Sequence, residues 1–165
     1  MKKIAFLLLI ISVLTSCKTS IEKYKIEPFK AKDFVAYDSN GRNISLEKFK
    51  GKFIFLDFWA TWCAPCRVEI PNLLRLYESI TQKDLIIISI SLDKDVDNVR
   101  SFIKNMEMNW INIIDYQTSS KIADIYSVSS IPTNYLIDRN GNVIAKNIRG
   151  SSTSDIIKEF IEKNK

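Results

Sequence analysis

Residues 57–71 read "DFWATWCAPCRVEIP" (Asp57–Pro71), and the placement of two cysteines within that stretch decides how the rest of the chain is read. Cys63 and Cys66 stand two residues apart in a chain of 165 residues that has only three cysteines. Ahead of them, Phe53 to Phe58 (FIFLDF) is almost continuously apolar, as a strand buried on both faces should be. Behind them, Ile70, Leu73, Leu74 and Tyr77 fall at i, i+3, i+4 and i+7, the spacing of an amphipathic helix. The pair therefore sits where a strand gives way to a helix.

That placement has a chemical consequence. The free N–H groups and the positive dipole end of a helix N-terminus favour an anion. A thiolate is such an anion, so the spacing predicts a Cys63 with its thiol pKa below the usual value and a nucleophilic role. Cys66, about one turn further on, is the expected resolving thiol. Pro65 suits a first turn, where its missing N–H is not needed. A static disulfide of the same spacing is the competing reading, but so small a loop constrains the unfolded chain very little.

The absence of histidine excludes Ser-His-Asp and Cys-His nucleophile pairs. It also excludes a c-type haem site, since Arg67 follows Cys66. A closed zinc site would need four ligands where two nearby cysteines are on offer. No metal and no cofactor beyond a redox-active Cys63–Cys66 disulfide is therefore expected. A thiol module carrying Cu(I) between two soft ligands stays open as an alternative. The formal charge of +5 is mild and its Lys and Arg residues are interleaved with Asp and Glu, so no nucleic-acid partner is expected.

The first residues read as an address. Lys2 and Lys3 precede an apolar run from Ile4 to Leu14, too short to span a bilayer and of the right length for the core of a secretory leader. Leu14-Thr15-Ser16-Cys17 resembles the bacterial lipobox, which implies cleavage before Cys17 and acylation of that cysteine. Two or three acyl chains on one residue give stable attachment where one would be marginal. The expected organisation is a leader over 1–16, a lipidated N-terminus and charged tether over 17–33, and a domain over 34–165. The domain would then work outside the cytoplasm, in a bacterial cell envelope, where disulfides persist.

Within the domain, "FVAYDSNGRNIS" (Phe34–Ser45) reads as a hairpin turning at Asn40-Gly41, followed by a short helical "LEKFKGK". "LIIISISL" (Leu85–Leu92) is a second buried strand, and Val96, Val99, Phe102, Ile103 and Met106 mark a helix. A short helix follows at Ile122, Ile125 and Tyr126. A hairpin turning at Asn140-Gly141 and a last helix with Ile156, Ile157, Phe160 and Ile161 close the chain. Strands alternating with helices imply an α/β fold with a mixed central sheet flanked by helices.

"FWATWCAPC" resembles the active-site segment of the thioredoxin superfamily, and "WCAPCRVEIP" with "YSVSSIPTNYLIDRNGNVI" resembles its TlpA/ResA-type extracytoplasmic thiol–disulfide oxidoreductases. The resemblance covers about Phe34 to Asn164. It implies a thioredoxin-like fold with an N-terminal β-hairpin and an insertion between Leu92 and Ser130, before the strand that follows Pro132. It also implies that Pro132 is cis and faces the cysteines, with the Ile131 backbone and Trp62 beside a groove for substrate peptide.

Two acids enter the same expected site. Asp57, six residues before Cys63 in an apolar strand, should have a raised pKa. The resemblance implies that it handles the proton of the resolving thiol. An Asp at the wet end of the strand is the other reading. Glu69, three residues past Cys66 on one helix, is a possible neighbour of it; otherwise it is an exposed helix residue. Which acid manages the Cys66 proton stays open.

The resemblance favours reduction of protein disulfides, with clients such as apocytochrome c or a copper-site protein and re-reduction by a membrane electron donor. The partners expected are thus thiol or disulfide proteins, that donor and, through Cys17, a membrane; a monomer is expected. A peroxiredoxin-like peroxidase is the enzymatic alternative, although the P-x-x-x-T-x-x-C signature of that group is missing.

Overall fold

In the computed structural model, which describes residues 21–164, the chain begins with β1 (Lys25–Lys30), β2 (Ala36–Tyr37) and β3 (Asn43–Ile44), then one 3-10 turn over Leu46–Phe49. The central part is β4 (Phe53–Trp59), α1 (Ala64–Ser79), β5 (Leu85–Ser91), α2 (Val96–Asn105), β6 (Ile111–Ile113) and α3 (Tyr116–Ile125). It ends with β7 (Thr133–Ile137), β8 (Asn142–Lys146) and α4 (Thr153–Lys163).

Six strands form one sheet in the order β1-β8-β7-β4-β5-β6, while β2 and β3 make a separate hairpin. β4, β5 and β6 run parallel; β7 reverses against β4, β8 turns back into their direction, and β1 reverses again against β8. The sheet is mixed, as expected, and every residue of β4 and β5 is buried.

The period of two along β4 sorts its side chains between two cores. Phe53, Phe55 and Trp59 join the face covered by α1, α2 and α4, where Ile70, Leu73, Val99, Ile156 and Phe160 pack. Ile54, Leu56 and Phe58 join the face covered by α3 and the β2–β3 hairpin, against Ile122, Tyr126, Ile44 and Leu46. Asp57, alternating with Phe55 and Trp59, is thereby aimed at the face that carries α1. Both cysteines belong to that same core.

The expected tether is corrected by the structure. From Ile21 onward the segment read as charged tether belongs to the domain: Ile21 is fully buried, Tyr24 nearly so, and β1 pairs with β8 as an antiparallel edge strand. The physical reason is that β8 would otherwise leave an open edge in the sheet. Pro28 fits this place, since an edge strand can spare one N–H. The domain therefore already includes Ile21 and does not begin at Phe34. The leader and Cys17 lie outside the described residues.

Candidate active site

The site is built at the C-terminal end of β4. After Trp59 the chain turns through Ala60 to Trp62 and enters α1, with Cys63 as its N-cap and Pro65 in the first turn. Cys63 and Cys66 are joined as a disulfide, with Cα atoms 5.2 Å apart. The Cys66 N–H donates to Cys63 Sγ at 3.3 Å. That N–H is one of the orphan donors of the helix end. Both cysteines are largely buried, whereas the Trp62 ring beside them is 65% exposed.

A cis peptide bond joins Ile131 and Pro132, just before β7. Pro132 is buried and Ile131 half-buried. β7 pairs directly with β4, Thr133 opposite Phe58 and Asn134 opposite Asp57, which brings the proline to the same end of the sheet as the cysteines. The Arg149 guanidinium donates to the Pro132 carbonyl.

Asp57 is buried, and burial pushes its carboxyl up to about 7; the Glu69 charge adds to that shift and the Arg149 charge opposes it. The alternative of a wet strand end is thus excluded by its position. Glu69 is half-buried, and its Oε2 is already engaged, accepting from Asn72 Nδ2 at 2.7 Å and from the Gly150 N–H at 2.9 Å. Pro71 lies inside α1, where it supplies no N–H to the turn before it.

Sequence reasoning missed a third acid. Asp93, buried just past β5, holds the loop before Cys63: Thr61 donates to it through its backbone N–H at 2.9 Å and its hydroxyl at 2.6 Å. The Ser91 hydroxyl donates to the same carboxylate at 2.7 Å, and Asn98 Nδ2 donates to Thr61 Oγ1 at 3.0 Å. Arg67 reaches back from α1 to the Thr61 carbonyl at 2.9 Å. An acid closing the buried run "SISLD" was the only hint in the sequence. An open cleft floored by Thr61, Asp93 and Asn98 runs from Trp62 to Tyr116.

Among the described residues no group of three or more His, Cys, Asp or Glu converges as a metal site, and no helix is long and apolar enough to cross a membrane. What the arrangement offers is a cysteine pair at a helix N-terminus, a buried acid on the same face of the sheet with its pKa raised to about 7, and an exposed aromatic face.

Comparison with known proteins agrees with that chemistry. Residues 29–146 match the AhpC/TSA family. The chain is 37% identical over 145 residues to the thiol-disulfide oxidoreductase ResA of Bacillus thuringiensis subsp. konkukian, spanning 88% of this chain and 82% of that one. It is 34% identical over 131 residues to ResA of Bacillus subtilis, spanning 79% and 72%. Among solved structures, the thioredoxin domain of a thiol-disulfide oxidoreductase from Bacteroides vulgatus matches with a TM-score of 0.74 at 27% identity, over 81% of this chain and 96% of that one. A second Bacteroides vulgatus protein, described as a putative thiol-disulfide oxidoreductase, matches with a TM-score of 0.66 at 32% identity, over 88% and 93%.

Proposed function

The chain belongs to the AhpC/TSA family and is a ResA-like thiol–disulfide oxidoreductase, and from that premise we propose that it reduces protein disulfides outside the cytoplasm while held to a membrane by acylated Cys17. Cys63 attacks as thiolate, forming a mixed disulfide with the client and expelling the client's other sulfur as thiolate. Cys66 then loses its proton and attacks Cys63 Sγ, which releases the reduced client and closes the Cys63–Cys66 bond. Two electrons pass to the client, and a membrane electron donor must restore the dithiol.

Asp57 is the group that takes the Cys66 proton. It shares a face of the sheet with α1, and its value near 7 lets it accept or return a proton at neutral pH. Glu69, committed to Asn72 and Gly150, acts on that step through its charge. Trp62 and the Ile131–Pro132 backbone form the walls along which an extended client segment would lie. An apocytochrome c or a copper-site protein fits as client because each needs reduced cysteines before it takes its metal or haem.

The observation that carries this reading is the Cys63–Cys66 bond at the start of α1, on the end of the sheet that also holds cis-Pro132. Cys66→Ser should trap client proteins as mixed disulfides in the native envelope, released by dithiothreitol, while Cys63→Ser traps none. Rapid peroxide turnover, or stoichiometric Cu(I) bound by the reduced form with no adducts in the trap, would replace it with one of the two alternatives.

A further inference from the structure

A tether from Lys18 to Asp33 would reach roughly 55 Å when extended, enough to swing a domain of this size, about 37 Å across, into any orientation. The domain instead already includes Ile21, fully buried. Only four residue steps separate it from Cys17, a reach of at most about 14 Å.

The exit point lies at the dithiol end of the sheet. β1 runs away from that end, Lys25 opposite Ala145 and Lys30 opposite Asn142 near the far turn. The residues before it lead back up: the Lys146 N–H donates to the Tyr24 carbonyl at 3.0 Å, and the Tyr24 hydroxyl to the Arg149 carbonyl at 3.5 Å. Arg149 in turn bonds the Pro132 carbonyl, and its neighbour Gly150 bonds Glu69 on α1. One loop thus touches both the segment before β1 and the helix that carries the redox pair. Beside the exit, Lys25 is paired with Glu22 at 2.6 Å and the Lys23 ammonium lies over the Tyr24 ring.

We infer that the anchor holds the Cys63–Cys66 end of the domain against the membrane, so that the membrane electron donor proposed above meets it with reacting sulfurs that lie at the bilayer surface. This rests on the acylation of Cys17 proposed above. Presenting the far end to the bilayer would lift the exit by a domain's width, which four residues cannot span.

The test uses the full, acylated chain, reduced, in phosphatidylcholine–phosphatidylglycerol vesicles containing phosphatidylethanolamine with a pyridyl disulfide on its headgroup. Cys63 attacks the probe and pyridine-2-thione leaves; Cys66 then expels the lipid-borne thiol as the Cys63–Cys66 bond closes. A Gly-Ser insertion of about 16 residues between Thr19 and Ser20 should slow thione release roughly tenfold, because effective concentration falls as about the −3/2 power of tether length. Both chains should react equally with a soluble pyridyl disulfide. Equal rates on the lipid probe from an acylated chain overturn the orientation and leave the anchor standing. A chain recovered from its own envelope without acyl mass overturns the anchor, and the inference with it.

Discussion

The Gly150 N–H donates to Glu69 Oε2 at 2.9 Å, latching the loop after β8 onto the helix that carries both cysteines. Through this contact a residue three positions past Cys66 is fixed near Asp57, whose pKa its charge raises. Glu69→Gln removes the charge while keeping the shape. The Asp57 carboxyl should then titrate lower, read from its 13C chemical shift across pH. An unmoved titration would mean that the Glu69 charge is screened from Asp57.

Asp93 acts on the other side of the pair, through Thr61. Asp93→Ala strands the Thr61 N–H and both hydroxyls in a buried site, and should cost about 2–4 kcal/mol in urea unfolding. Thr61→Val removes only the hydroxyl bonds and should cost about 1 kcal/mol. If the carboxylate does position the loop, the milder Thr61→Val should also slow attack by Cys63 on a small disulfide, at unchanged client affinity. A stability loss with no change in that rate would confine Asp93 to a structural part.

Much of this was legible because burial leaves periodicity behind. β4 and β5 are apolar throughout and α1 keeps its i, i+3, i+4 spacing, so the strand–Cys–helix junction could be read directly. β1 could not: "KIEPFK" is an edge strand with exposed side chains and an internal proline, so neither alternation nor composition marks it. β6 is three residues long, too short for any period to appear. The Asp93–Thr61 contact depends on the register that sets Trp59 beside Ser91 across two parallel strands. Pairing at that distance in the chain leaves no local pattern.

The hidden strand gives a direct prediction. A chain beginning at Phe34 loses the buried Ile21 and Tyr24 side chains and uncovers the β8 edge. At about 1.5–3 kcal/mol for each buried side chain, it should be less stable than a chain beginning at Thr19 by roughly 3–6 kcal/mol. The exposed edge should also make it self-associate. Urea midpoints and light scattering on the two chains check both effects; equal midpoints would return residues 21–33 to the status of a tether.

Asp57 supplies a pH dependence whose sign can be worked out. Its folded pKa is about 7, raised from 3.8. Between those values the folded chain holds a proton that the unfolded chain has lost, so stability falls as pH rises through that window and levels off above it. At about 1.4 kcal/mol per unit, the loss by pH 8 is on the order of 4 kcal/mol, with partial hydration making 2–4 kcal/mol a fair expectation. Asp57→Asn abolishes this titration. The oxidised variant should therefore exceed the wild type in stability at pH 8 by about 2–4 kcal/mol, with the gap closing toward pH 4. The same variant has no group to take the Cys66 proton, so resolution of a preformed mixed disulfide at pH 7 should slow by roughly 10- to 100-fold. Greater stability with slower resolution is the signature of a buried acid kept for chemistry. A variant that is less stable at pH 8 would mean that Asp57 is ionised and paired, and the proton would have to leave Cys66 by way of Glu69.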